Sequence, residues 1–187
     1  MASEGLVERG AGRGTFVTEP QSLRYPVLEL TSFSDQMRAK GKVPSSEVLR
    51  SDATSVTAAG WEEKQIGHTR VLSVDRLRLS DGVPTVLEYL VFPLPRFAAL
   101  DYRDLVSGSM YDVLERSFGV TVGRADFTLN VALANGEQGR WLEISENDPI
   151  FIMRGLVNDT KGRVIVGLRC FYRGDRYTFD FSTIGRA

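Results

Sequence analysis

With 187 residues, 42% apolar and 25% charged, the chain has an ordinary globular composition and enough material for one well-buried core. Its formal charge of −1 argues against a free-standing nucleic-acid binder, which draws most of its affinity from a basic excess. A single cysteine, Cys170, and a single histidine, His68, exclude an internal disulfide and a zinc site made of Cys and His.

No apolar run approaches the roughly 20 residues of a membrane helix, so the expectation is a cytoplasmic protein with no membrane partner. Leu6-Val7 and Thr15-Phe16-Val17 flank a tip rich in glycine and arginine, the pattern of a β-hairpin. A hairpin is marginal alone, so residues 1–17 read as the tail of a domain whose start precedes the chain. Residues 18–26, with Pro20 and Pro26, read as a linker.

From 27 to 187 the pattern is α+β. Val27-Leu28-Glu29-Leu30 is strand-like, and Ser32 with Asp35 makes a capping box for a helix that Gly41 ends. An extended segment over 46–55 and a short helix over 58–66 follow. Strands at 69–79 and 85–92 are joined by Ser80-Asp81-Gly82-Val83-Pro84. A second helix starts at Ser109, carries the stripe Met110, Val113, Leu114 and Phe118, and stops at Gly119. Strands at 120–134, 149–157 and 163–172 come next, with a hairpin turn at Asp159-Thr160-Lys161-Gly162. Phe179 and Phe181 alternate with Thr178 and Asp180 as a closing edge strand. Hairpin turns outnumber crossover helices. The predicted fold is a mainly antiparallel sheet with helices against one side, not a doubly wound parallel sheet.

A three-residue loop, Asp81 to Val83, sets Ser80 opposite Pro84, Arg78 opposite Val86 and Arg76 opposite Glu88. Alternation then puts Arg76, Arg78, Val86, Glu88 and Leu90 on one face. Two readings follow: a pocket floor whose guanidinium groups bind an anion, or a solvated cross-strand ion pair. The helix starts at Ser32 and Ser109 have the geometry of anion sites, although most capped helices bind nothing. Arg173-Gly174-Asp175-Arg176-Tyr177 reads as a polar turn, and Tyr172 and Tyr177 as packing residues. No catalytic constellation, metal site or cofactor motif stands out.

Together these segments resemble a known family. Gly12-Arg13-Gly14-Thr15-Phe16-Val17 is similar to the end of the wing in GntR-type winged helix-turn-helix domains. The remainder resembles the UTRA effector domain of the HutC subgroup, with its chorismate-lyase-like fold. The resemblance rests on Leu30-Thr31-Ser32-Phe33-Ser34-Asp35-Gln36-Met37, Arg76-Leu77-Arg78 with Asp81-Gly82 and Glu88, Ser109-Met110-Tyr111, and Tyr172-Arg173-Gly174-Asp175-Arg176-Tyr177-Thr178-Phe179.

The resemblance implies a sensor domain, not an enzyme. Residues 1–17 would be a wing remnant, 18–26 a connector and 27–187 the effector-binding and dimerisation domain. Thr31, Ser32, Phe33, Arg76, Arg78, Ser109 and Tyr111 would hold the anion, and Glu88 and Tyr172 the rest of the ligand. Family members that sense sugar phosphates carry a glutamate where this chain has Val166, and Arg169 alternates to the other face. The implied partner is a small anionic metabolite, a sugar phosphate or carboxylic acid, with the aminosugar phosphate reading weakened. A homodimer would reach operator DNA only through the absent N-terminal domain. A chorismate-lyase-like enzyme on the same fold and a dimerisation module with an empty pocket are the alternatives.

Overall fold

The computed structural model describes residues 7–10, 14–17, 23–26, 31–55, 66–67 and 70–181. Strands β1 (Val7–Gly10) and β2 (Gly14–Val17) form the expected antiparallel hairpin, Val7 opposite Val17. Residues 11–13 at its tip, the strand expected at 27–30 and all but the end of the helix expected at 58–66 lie outside the described residues.

Six strands make the main sheet: β4 (Pro44–Ser55), β5 (Arg70–Ser80), β6 (Val83–Pro93), β7 (Val122–Leu133), β8 (Pro149–Asp159) and β9 (Val164–Arg173). Their order is β4-β5-β6-β9-β8-β7, and every neighbouring pair is antiparallel. The β5–β6 turn is tighter than expected. Asp81 (φ 52°) and Gly82 (φ 78°) both take positive φ, the two-residue turn that matches strand twist. Ser80 therefore faces Val83, and Leu79 faces Pro84. A bulge at Thr85, whose hydroxyl donates to the Arg78 carbonyl at 3.0 Å, absorbs the difference. Arg78 still faces Val86 and Arg76 still faces Glu88.

Among the described residues four helices pack on this sheet: α1 (Phe33–Ala39), α2 (Asp104–Ser107), α3 (Met110–Phe118) and α4 (Gly136–Leu142). Ser32 caps α1 and Ser109 caps α3, and Gly119 ends α3 at φ 61°. Helix α4 was not expected. It opens on a full capping box, Gln138 N–H to Asn135 Oδ1 at 2.9 Å and Asn135 N–H to Gln138 Oε1 at 3.0 Å.

The helices do not all lie on one side. Met37, Leu105, Met110, Val113 and Leu114 of α1 to α3 join Val74, Val86, Leu90, Met153 and Leu168 in the main core. Leu142 of α4 packs on the opposite face with Leu77, Leu79, Leu87, Ile150 and Phe171. That second layer follows from period two: Leu77, Leu79 and Leu87 alternate with Arg76, Arg78 and Glu88 and are apolar, so both faces need cover.

Part of the expected linker is structured. Strand β3 (Leu23–Pro26) pairs in parallel with β10 (Tyr177–Asp180), so β10 is not an edge of the main sheet. Leu23, 4% exposed, enters the main core beside Tyr177.

Candidate functional site

Strand register builds the floor of one cavity. A cross-strand row runs Arg76 (β5), Glu88 (β6), Cys170 (β9), Met153 (β8). A second runs Arg78, Val86, Tyr172, and a third Val74, Leu90, Leu168, Gly155, Phe127. All nine residues expected to hold a ligand line this cavity: Thr31, Ser32, Phe33, Arg76, Arg78, Glu88, Ser109, Tyr111 and Tyr172. Its empty space is about 590 Å³, open mouth included.

The two arginines are both 2% exposed and differ in their partners. Arg76 donates from Nε and Nη2 to Glu88 Oε2 at 2.9 and 2.5 Å, and from Nη1 to the Leu105 carbonyl of α2 at 3.0 Å. Glu88 is itself 9% exposed, so the pair is buried and is not the solvated surface pair that the alternation also allowed. Arg78 donates to the Ser34 hydroxyl at 2.8 Å and stacks on the Phe33 ring at 4.5 Å. Among the described residues no carboxylate pairs with Arg78, and its Nε has no partner. Burial, reinforced by the like charge of Arg76 and only partly opposed by Glu88, pulls its guanidinium down to about 10. The group stays charged at neutral pH with no carboxylate bonded to it, the nearby Glu88 being already engaged by Arg76, an expensive arrangement for a buried cation.

The helix starts meet this charge. Ser32 Oγ donates to Asp35 Oδ2 at 2.6 Å and accepts from the Asp35 N–H at 3.1 Å. Gln36 Nε2 holds Thr31 by its carbonyl and hydroxyl at 3.2 and 3.0 Å. Ser109 Oγ accepts from the Asp112 N–H at 3.4 Å, which leaves its own O–H to donate. Tyr172 lies buried against Tyr177 and Phe179, ring centroids 4.8 and 5.2 Å away.

Sequence reasoning missed the apolar wall: Leu90, Met110, Phe127, Met153, Leu168 and Cys170. Alternation from Tyr172 marks Cys170 and Leu168 as facing the same way, which was the available signal. It also missed Ser34 and Gln36, the residues that tether Arg78 and Thr31. Burial pushes the Cys170 thiol well up, so it stays protonated and serves as a small apolar group.

Other expectations resolve outside the cavity. Val166 is fully buried in the core and does not line the cavity, and Arg169 stacks on Tyr89 and Phe171 on the opposite face. The charged turn is a structural bracket: Arg173 pairs with Asp175 at 2.7 Å and donates to the carbonyls of Leu142 (3.1 Å) and Pro84 (3.4 Å). It thereby ties α4 to β6. Among the described residues no acid, His and Cys cluster suits a metal ion, and no helix is long and apolar enough to cross a membrane.

An antiparallel sheet roofed by helices, with buried arginines and two helix starts turned toward one cavity, defines an α+β domain of the effector-binding class. The UTRA domain family matches residues 39–178, and the chain belongs to it. The HTH-type transcriptional repressor NagR of Bacillus subtilis (strain 168) is 29% identical over 180 residues, 96% of this chain and 73% of NagR. The HTH-type transcriptional repressor PhnF of Mycolicibacterium smegmatis is 30% identical over 178 residues, 94% of this chain and 71% of PhnF. The crystal structure of PhnF from Mycobacterium smegmatis shares the fold with a TM-score of 0.79 at 26% identity, over 99% of this chain and 81% of that one. The relatives are GntR-family transcriptional repressors.

Proposed function

We propose that this chain is the sensing half of a GntR/HutC-type transcriptional regulator and that its cavity binds a small anionic metabolite, a sugar phosphate or carboxylic acid. The observation that carries the reading is Arg78, a cation 2% exposed that lines the cavity, with an unpartnered Nε and no carboxylate bonded to it among the described residues. An anion there completes the missing half of an ion pair. Backbone N–H groups at the starts of α1 and α3 have no partner within their helices and add donors of the same sign. Glu88, tied to Arg76, and Tyr172 meet the remainder of the ligand.

The same reading makes residues 1–17 a wing remnant, 18–26 the connector and 27–187 the effector-binding and dimerisation domain of a cytoplasmic homodimer. A packing route supports the connector. Tyr172 on the cavity wall touches Tyr177 and Phe179 of β10, and β10 pairs with β3, which lies within residues 18–26. Ligand binding would then reset the spacing of the two DNA readers of the dimer. The long edge strands β4 and β7 offer the dimer seam.

Calorimetric titration of the chain and of Arg78→Ala with sugar phosphates and organic acids tests the proposal. Binding of one anionic class that the substitution abolishes is the expected result. Binding confined to cationic or apolar compounds contradicts it.

A further inference from the structure

The cavity floor is polarised from one side of the sheet to the other. Its charged groups sit on β5 and β6: Arg76, Arg78 and Glu88. The strands beyond them, β9, β8 and β7, contribute Leu168, Cys170, Met153 and Phe127, with Tyr172 as the one hydroxyl. Cys170 belongs with the apolar set, since it is fully buried and holds its proton. Phe127 lines the cavity from the edge strand opposite Gly155, where a side chain would collide first with the Asp126 carbonyl oxygen. A Cβ built at Gly155 would meet the Phe127 ring at 2.7 Å.

Adjacent strands are about 4.8 Å apart, so the three steps from β5 to β8 span roughly 14 Å. A head group held at Arg78 therefore projects the rest of its molecule across Cys170 and Leu168 toward Met153 and Phe127. On that part of the strand floor a ligand hydroxyl meets only the Tyr172 hydroxyl, the other lining hydroxyls (Thr31, Ser32, Ser109 and Tyr111) belonging to the helix starts. Each ligand hydroxyl buried without a hydrogen bond costs roughly five- to a hundredfold in affinity. Methylene groups have the opposite preference, about fourfold tighter for each one buried.

We infer that the effector is amphipathic: an anionic head on β5, and an aliphatic or aromatic body with few hydroxyls lying over β9, β8 and β7. This rests on the anion-site reading and narrows it, because it ranks a polyhydroxylated sugar phosphate below an alkyl or aryl phosphate or carboxylate of the same charge.

The test is calorimetry on the intact chain with inorganic phosphate, ethyl, butyl and hexyl phosphate, phenyl phosphate, glucose 6-phosphate, hexanoate and benzoate. Hexyl or phenyl phosphate, or the matching carboxylates, are expected to bind at least tenfold more tightly than glucose 6-phosphate. Affinity along the alkyl series should rise about fourfold per methylene. Met153→Gln and Phe127→Gln should each shrink the ratio of hexyl to ethyl affinity, and two positions guard against one variant failing to fold. Whether the phosphates or the carboxylates show the rise identifies the head group. A flat alkyl series, or glucose 6-phosphate binding as tightly as hexyl phosphate, overturns the inference. If inorganic phosphate binding is then still lost in Arg78→Ala, the anion site itself stands. Absence of binding by every one of these anions overturns both.

Discussion

Replacing Arg78 with methionine removes a cation the fold has buried without a carboxylate, and it should stabilise the ligand-free protein while destroying its response to anions. The pull on this guanidinium down to about 10 corresponds to about 3 kcal/mol by which the site disfavours the charged form. Folded and unfolded chains both carry the charge at neutral pH. The penalty is thus present in full there and fades only as pH rises above about 10. Methionine fills much of the same volume and can lie on the Phe33 ring as the guanidinium does. The substitution forfeits the bond to Ser34, whose buried hydroxyl then costs about 1–3 kcal/mol. The net is a gain of about 1 kcal/mol, or a Tm rise of roughly 2–4 °C for a domain of this size. Thermal denaturation followed by circular dichroism at pH 7 measures it. Wild-type protein with an anionic ligand at a hundred times its Kd should gain about 2.7 kcal/mol, and Arg78→Met nothing. A fall in Tm of more than about 5 °C in the ligand-free variant would refute the reasoning, because it would mean the charge is already compensated.

Arg76 behaves in the opposite way. Breaking its buried pair by Arg76→Met or Glu88→Gln alone should cost about 3–5 kcal/mol, and the double substitution Arg76→Met, Glu88→Met should recover much of that in a denaturant double-mutant cycle. Loss of the α4 cap in Asn135→Ala should cost about 1 kcal/mol by urea unfolding and leave anion binding intact, since α4 packs on the face away from the cavity. Burial alone would raise the Asp159 carboxyl, but the Arg163 backbone and the Arg96 and Arg163 guanidinium groups hold it well below the usual carboxylate range. Its contribution is therefore full above about pH 4 and lost as pH falls further. Asp159→Asn should remove that part of the acid-side decline in a series of unfolding curves.

The fold class and the residues that line the cavity were legible in the sequence, for reasons that differ by residue. Ser32 and Ser109 announce their helices by local chemistry, a hydroxyl followed by an acid at the third position, so those starts were readable. Arg76 and Glu88 were paired correctly although the turn was misjudged by one residue. The bulge at Thr85 restores the register that the shorter loop would have shifted. Alternation assigns a face but not its cover, so it could not tell a buried ion pair from a solvated one. The cover comes from Leu105 and the helices around it, about thirty positions along the chain. Strand β3 escaped notice because it is four residues long, ends on Pro26, and its partner, β10, lies at the far end of the sequence. Two glycines in Gly136-Glu137-Gln138-Gly139 masked α4, although Asn135 and Gln138 carry its capping box. The contrast between one paired and one unpaired arginine has no sequence signature, because it depends on which side chain reaches Glu88.

The most direct test of the account is a thermal-shift screen of the chain against phosphorylated sugars, organic acids and amino-acid metabolites, run beside Arg76→Ala and Arg78→Ala. The account predicts that one anionic class raises the wild-type Tm by several degrees and that Arg78→Ala abolishes the shift. No shift with any anion, or a shift that survives Arg78→Ala, would contradict it.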